Sequence, residues 1–315
     1  MIEALSHGIT CIDTGYYRPG LAACYLVADA GEVAVIETGT VPTLPTLLAA
    51  LECVSVKPEQ VRWIMPTHVH LDHAGGAGAL LARCPNATLV VHPQGARHLI
   101  DPSRLIAGAT AVYGEKGMRK MYGEILASPP ERVREALDGS RWQLGRRDLL
   151  TRDTPGHANH HYCIWDEASR GWFTGDTFGN GFRELYCRDE PFLIPSTTPV
   201  QLDFTALLAS IDLLVAAAPR YYYLTHFGRI EASEVHAHSL KSQLREYMRF
   251  TIESDPGQDR PQRLAQTLFM YTAGLLRAAG CSLGETELRD LLIMEMSLNA
   301  QGALVWLERQ KAASA

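Results

Sequence analysis

The sequence predicts a layered α/β fold followed by a helical block, and three observations carry that expectation. Strand-like runs alternate with helix-like runs over most of the chain. Histidines and aspartates gather where those strands end. Beyond residue 228 only helical periodicity remains.

The elements follow in order. Ile9–Thr14 reads as a strand, and Gly15-Tyr16-Tyr17-Arg18-Pro19-Gly20 as a turn that either covers a substrate or is a plain hairpin tip. Residues 22–28 and 32–36 are two further strands joined at Asp29-Ala30-Gly31. A helix over 42–51 starts at Thr40 or Pro42. Residues 61–65 form a buried strand, 77–83 a helix and 88–92 another strand. His92, before Pro93, reads as structural, and His98 as a helix-surface residue. Residues 93–130 are less regular, with a turn at 101–104 and helical spacing over 113–126; this segment is either a lid or partner surface, or an added helical layer with no catalytic role. Strands resume at 141–144 and 148–152, a hairpin spans 162–165 and 171–174, and 221–225 is a last strand. Helices are expected over 233–253, 260–279, 284–299 and 301–310, with caps at Ser233, Ser282 and Thr286. His236 and His238 fall on the first of these as surface residues.

With 315 residues, 46% of them hydrophobic, the chain can bury a sizeable core plus an appendage. The expected division is 1–228 and 229–315. Net charge is −6 and there is no long basic block, so the expected partner is a small molecule and not nucleic acid. Seven dispersed cysteines form no CxxC pair, which suggests reduced thiols and a cytoplasmic protein. The N-terminus lacks the pattern of a signal peptide, and no apolar run reaches transmembrane length.

Thr67-His68-Val69-His70-Leu71-Asp72-His73 places three histidines and an aspartate between a strand and a helix. Imidazoles with a carboxylate suit zinc, iron or manganese, and histidines are rarely grouped so tightly without a ligand. Three more metal-competent residues sit at strand ends beside glycine or proline. His157 follows Pro155-Gly156, Asp176 follows Gly175, and His226 precedes Phe227-Gly228.

In this order, THxHxDH, PGH, GD and a late TH, the chain resembles the metallo-β-lactamase superfamily of metal-dependent hydrolases over roughly residues 8–228. The resemblance implies an αββα sandwich. It also implies that His68, His70 and His157 hold one metal ion, that Asp72, His73 and His226 hold a second, and that Asp176 bridges them. Seven ligands are too many for one tetrahedral ion but suit a pair. His160 and His161 are spare histidines beside His157, read as supporting residues.

The sequence departs from the superfamily at the end of the third strand, where Glu37 stands in place of the usual aspartate. Gly175-Asp176-Thr177-Phe178-Gly179-Asn180-Gly181-Phe182-Arg183 resembles the glyoxalase II branch, the hydroxyacylglutathione hydrolases, but lacks its cysteine-containing ending. His70 argues against the flavodiiron branch, which usually has glutamate there.

The resemblance implies a hydrolase with two divalent transition-metal ions, zinc first, then iron or manganese. It would act on a small ester, thioester or lactone through a metal-bridging hydroxide, with Asp72 and Asp176 as the catalytic carboxylates. The alternatives are a phosphodiesterase and an oxygen-binding diiron protein of the same fold. The helical block is expected either to help hold substrate, as the glyoxalase II resemblance implies, or to be an appendage that builds a homo-oligomer or stabilises the fold.

Overall fold

A computed structural model describes residues 1–197 and 200–314. The chain divides into two compact units. One comprises Met1–Asp153, His160–Gly175 and Arg220–Arg229. The other comprises Thr154–Asn159, Asp176–Pro219 and Ile230–Ala315.

The first sheet is built from β1 (Ile2–Ala4), β2 (Ile9–Asp13), β3 (Ala23–Asp29), β4 (Glu32–Ile36), β5 (Val61–Met65), β6 (Thr88–Val91) and β7 (Val133–Glu135), in that order. Neighbours are antiparallel from β1 to β4 and parallel from β4 to β7. The second sheet runs from β8 (Arg141–Leu144) through β9 (Arg147–Asp153), β10 (Tyr162–Asp166), β11 (Gly171–Gly175) and β12 (Tyr221–Leu224) to β13 (Gly228–Glu231).

The strands read as nearly continuous apolar runs because both faces of the first sheet are covered. Alternate residues divide between two cores, as the pleat requires. Ile9, Cys11, Tyr25, Val27 and Ile36 face the second sheet and meet Tyr162, Ile164, Phe173 and Tyr223. Ile12, Leu26 and Val35 face the other way. They are covered by Leu47 and Leu51 of α1 (Leu44–Cys53), Leu80 and Leu81 of α3 (Ala77–Arg83), and Leu99 of α4 (Pro93–Ile100). Between α1 and α3, the one-turn α2 (Leu71–Ala74) carries the last part of the histidine motif, Asp72 and His73.

Residues 93–122 are more helical than their sequence suggests. After α4 comes α5 (Ser103–Tyr122), whose backbone breaks at Gly114 (φ 69°). The single periodic pattern over 113–126 caught only its second half, because the break resets the helical phase.

The second unit is helical: α6 (Phe204–Ala216), α7 (Glu234–Glu253), α8 (Arg260–Ala279) and α9 (Glu285–Ser314). Ser233 caps α7, accepting from Val235 N at 3.1 Å. The two helices expected over 284–310 are one continuous α9, since Ala300, Gln301 and Gly302 propagate a helix without a breaker strong enough to stop it. The Tyr247 hydroxyl meets Thr272 Oγ1 at 2.8 Å, joining α7 to α8. Among the described residues, no helix is long and apolar enough to cross a membrane.

Candidate metal centre

In the first unit, the loop after β5, the turn of α2 and the end of β12 bring His68, His70, Asp72, His73 and His226 to one edge of the sheets. His73 Nε2 and His226 Nε2 each lie 3.6 Å from Asp72 Oδ2. The donor atoms of these three residues all fall within 4.8 Å of one another. His68 Nε2 and His70 Nδ1 converge to 2.8 Å. His68 and His73 are buried, whereas the Asp72 side chain is 26% exposed and forms the open side of the group.

Each buried imidazole of this cluster is held through its far nitrogen. His226 Nδ1 donates to Leu21 O at 2.7 Å. His73 Nδ1 donates to Glu37 Oε1 at 3.0 Å. Thr67 Oγ1 gives its one proton to Glu37 Oε1 at 2.6 Å, so it accepts from His68 Nδ1 at 3.1 Å. Anchoring Nδ1 fixes the tautomer and aims an Nε2 lone pair into the cluster, the arrangement in which proteins hold a metal-binding histidine. Convergent imidazole and carboxylate donors, with the buried imidazoles braced from behind, fit a divalent transition metal.

Glu37 is the hub of this bracing. It is 1% exposed and sits at φ 63°, a left-handed backbone that costs a non-glycine residue about 1 kcal/mol. Its carboxylate also accepts from Thr67 N at 3.1 Å and Thr225 Oγ1 at 3.0 Å. It therefore reaches His73 as a supporting carboxylate must. After burial itself, its charge is the next cause that pushes the Cys24 thiol and the Tyr162 phenol above their ordinary values.

His161 stacks on His68 with ring centres 4.9 Å apart, and Val69 N donates to His160 Nδ1 at 3.5 Å. Both support the motif's rings and loop, as their sequence position suggests. A side chain at Gly175 (φ 48°) would meet His161 Nε2 and Thr67 Oγ1 at 2.4 Å, so glycine is required there. His92 caps α4, accepting from Gln94 N at 3.1 Å, and its Nε2 lies 3.4 Å from Asp153 Oδ1. Tyr16 of the first turn meets Tyr122 of α5, hydroxyl to hydroxyl at 3.3 Å, against Leu71. Burial, then the Asp72 carboxylate, pushes the Tyr122 phenol well above its ordinary value.

In the second unit, His157 and Asp176 form their own pair, Nε2 to Oδ2 at 3.4 Å. The His157 turn is tied to α6: Asp203 N donates to Gly156 O at 2.7 Å, and Ser210 Oγ to Pro155 O at 2.7 Å. His157 Nδ1 donates to Ser196 O at 3.1 Å, and Ser196 Oγ donates to Asp176 Oδ2 at 3.1 Å. Sequence reading missed Thr67, Thr225 and Ser196. Thr67 and Thr225 had one usable signal, since each directly precedes a histidine of the motif set. Ser196 had none.

Comparison with known proteins agrees with this architecture. A model of the metallo-β-lactamase superfamily matches residues 17–226. The human acyl-coenzyme A thioesterase is 27% identical over 199 residues, covering 57% of this chain and 66% of that protein. A hydroxyacylglutathione hydrolase from Francisella tularensis subsp. novicida is 27% identical over 156 residues, covering 50% of this chain and 47% of that protein. A solved archaeal metallo-β-lactamase superfamily protein from Sulfolobus tokodaii superposes with a TM-score of 0.65 at 20% identity, covering 95% of this chain and 99% of that chain. A two-sheet sandwich with its donor residues at the sheet edge, and a family match over most of that fold, show that the chain belongs to the metallo-β-lactamase superfamily and is a metallo-hydrolase.

Proposed function

We propose that this chain is a binuclear hydrolase of small esters, thioesters or lactones, and that thioesters are the first class to test. His68, His70 and His157 would hold one ion, Asp72, His73 and His226 the other, and Asp176 would bridge them. The observation that carries this reading is the shared bracing of the histidines: Nδ1 of His73, His226 and His157 each donates to a protein oxygen, which leaves Nε2 for a metal. The relative named as an acyl-coenzyme A thioesterase favours that substrate class.

Two bound dications would supply the Lewis acidity that polarises a carbonyl and brings a water's pKa from about 15.7 towards 7. This chain's residues do the rest. The buried imidazoles hold their donor atoms without rearrangement. Asp176 places a carboxylate whose Oδ2 is oriented by Ser196. Asp72, the exposed member, borders the side from which a substrate arrives.

The test is elemental analysis of protein purified without chelator, paired with thioester, lactone, ester and phosphodiester substrates. We expect close to two zinc or iron ions per chain and turnover of a thioester. Replacing Asp176 with asparagine should lower kcat at least about a hundredfold, the scale of other lost electrostatic contributions. Metal-free protein, turnover of phosphodiesters alone, or a trapped covalent acyl-enzyme would reject the proposal. Iron that reacts with oxygen, without hydrolysis, would favour the diiron alternative.

A further inference from the structure

We infer that Asn299, deep in the C-terminal helix α9, is a positioning residue for the His157–Asp176 pair. The inference rests on the ligand assignment proposed above. Asn299 is 1% exposed, and its side-chain amide clamps the chain on both sides of Ser196. Asn299 Oδ1 accepts from Thr197 N at 2.7 Å, and its Nδ2 donates to Pro195 O at 3.0 Å. Its own carbonyl accepts from Thr197 Oγ1 at 3.3 Å.

A primary amide copies the donor and acceptor of a peptide group, so Asn299 reads this segment as a neighbouring strand would. In an extended chain the carbonyl of one residue and the N–H two residues on lie along one edge, while the residue between points its polar groups to the other edge. The bonds alternate accordingly. Leu193 O accepts from Gln243 Nε2 of α7 at 2.8 Å, and Pro195 and Thr197 face Asn299. Ile194 pairs on the opposite edge with Asn180, N to O at 2.9 Å in both directions, and Ser196 O accepts from His157 Nδ1.

The outcome is a relay from the C-terminal helices to the ligands. Asn299 fixes the plane of the peptides flanking Ser196. Ser196 O then sets the His157 ring and tautomer, and Ser196 Oγ orients Asp176 Oδ2. This assigns the helical block a task other than holding substrate or building an oligomer. Both groups it serves are buried, so a rotated Ser196 could not be replaced by water at little cost.

The experiment uses the full chain with two readouts. The first is zinc affinity by competition with a chromophoric chelator. The second is hydrogen exchange of histidine Nδ1–H protons followed by nitrogen-15 NMR. Asn299→Leu keeps the branched shape of the side chain, though it is bulkier, and removes both amide bonds. We expect zinc retention to weaken about tenfold, the low end of the loss when a group bonded to a ligand is removed, because Asn299 acts through Ser196. Exchange at His157 Nδ1–H should accelerate about tenfold, as expected for one weakened hydrogen bond, while His73 and His226 keep their protection. If Asn299→Leu does not fold, Asn299→Asp, which keeps the acceptor for Thr197 and loses the donor to Pro195, should show the same pattern at smaller size. A variant that melts earlier but keeps wild-type zinc affinity and His157 protection would reduce Asn299 to a structural residue and overturn the inference. If wild-type protein binds no zinc, the ligand reading falls, and the His157 exchange still decides whether the relay exists.

Discussion

Replacing Glu37 with glutamine tests the bracing of the first-unit cluster. The carboxylate accepts four hydrogen bonds: Oε1 from Thr67 Oγ1, Thr225 Oγ1 and His73 Nδ1, and Oε2 from Thr67 N. Glutamine offers one oxygen. If that oxygen takes the Oε1 place, the new NH2 faces the Thr67 N–H, donor against donor, at a site 1% exposed. A buried donor left unsatisfied costs about 1–3 kcal/mol. The three remaining bonds also lose their charge assistance, which roughly halves each of them. The reverse orientation is worse, because it sets the NH2 against three donors. These terms share one group and do not add fully, so we expect a net loss of about 3 kcal/mol. The His73 ring is then held by a weaker, neutral acceptor, and metal affinity should fall ten- to a hundredfold. Thermal unfolding and chelator competition, on wild type and variant side by side, measure both effects. Zinc affinity within twofold of wild type and a melting temperature within a degree would show that Glu37 braces nothing.

Three further outcomes follow from the same geometry. His226→Ala removes one of the three donors grouped within 4.8 Å, so metal content by elemental analysis should drop from about two ions per chain towards one. Gly156→Ala places a Cβ 2.2 Å from Leu207 N at a backbone φ of 127°, and should cost about 3 kcal/mol, read as a lower melting temperature or loss of folded protein. Arg146 N donates to the Asp29 carboxylate at 2.6 Å and, as the leading cause, holds its pKa below the ordinary 3.8. A lowered folded-state value stabilises the fold above about pH 4 and loses that contribution as the pH falls further. Asp29→Asn should therefore melt below wild type at pH 7, with the two curves converging under strong acid.

The layered α/β class was legible in the sequence alone, because apolar period and turn chemistry are local. Strands 32–36 and 61–65 and helix 77–83 stand in the structure where the periodicity puts them. The histidine motif was legible for a similar reason: His68, His70, Asp72 and His73 lie within one turn and its flank, and their spacing is itself the signal. Glu37 was visible as an unusual residue, but its reach to His73, 36 positions away, is a tertiary fact. Helix α6 escaped notice because Phe204–Ala216 is apolar nearly all round and shows no single-faced period.

Ser196 and Asn299 belong wholly to the tertiary structure. Neither has a residue type, a neighbour or a spacing that points to a site, and 39 and 102 positions separate the two bonded pairs that link His157 to Ser196 and Thr197 to Asn299. Hydrogen bonds of that range depend on where the finished fold places an extended segment and a buried amide, and no local pattern records it. The seven donor residues were named by chemistry and order along the chain. How the rings of His73, His226 and His157 are held, and so which nitrogen each offers, was decided only when the fold brought a carboxylate or carbonyl up behind them.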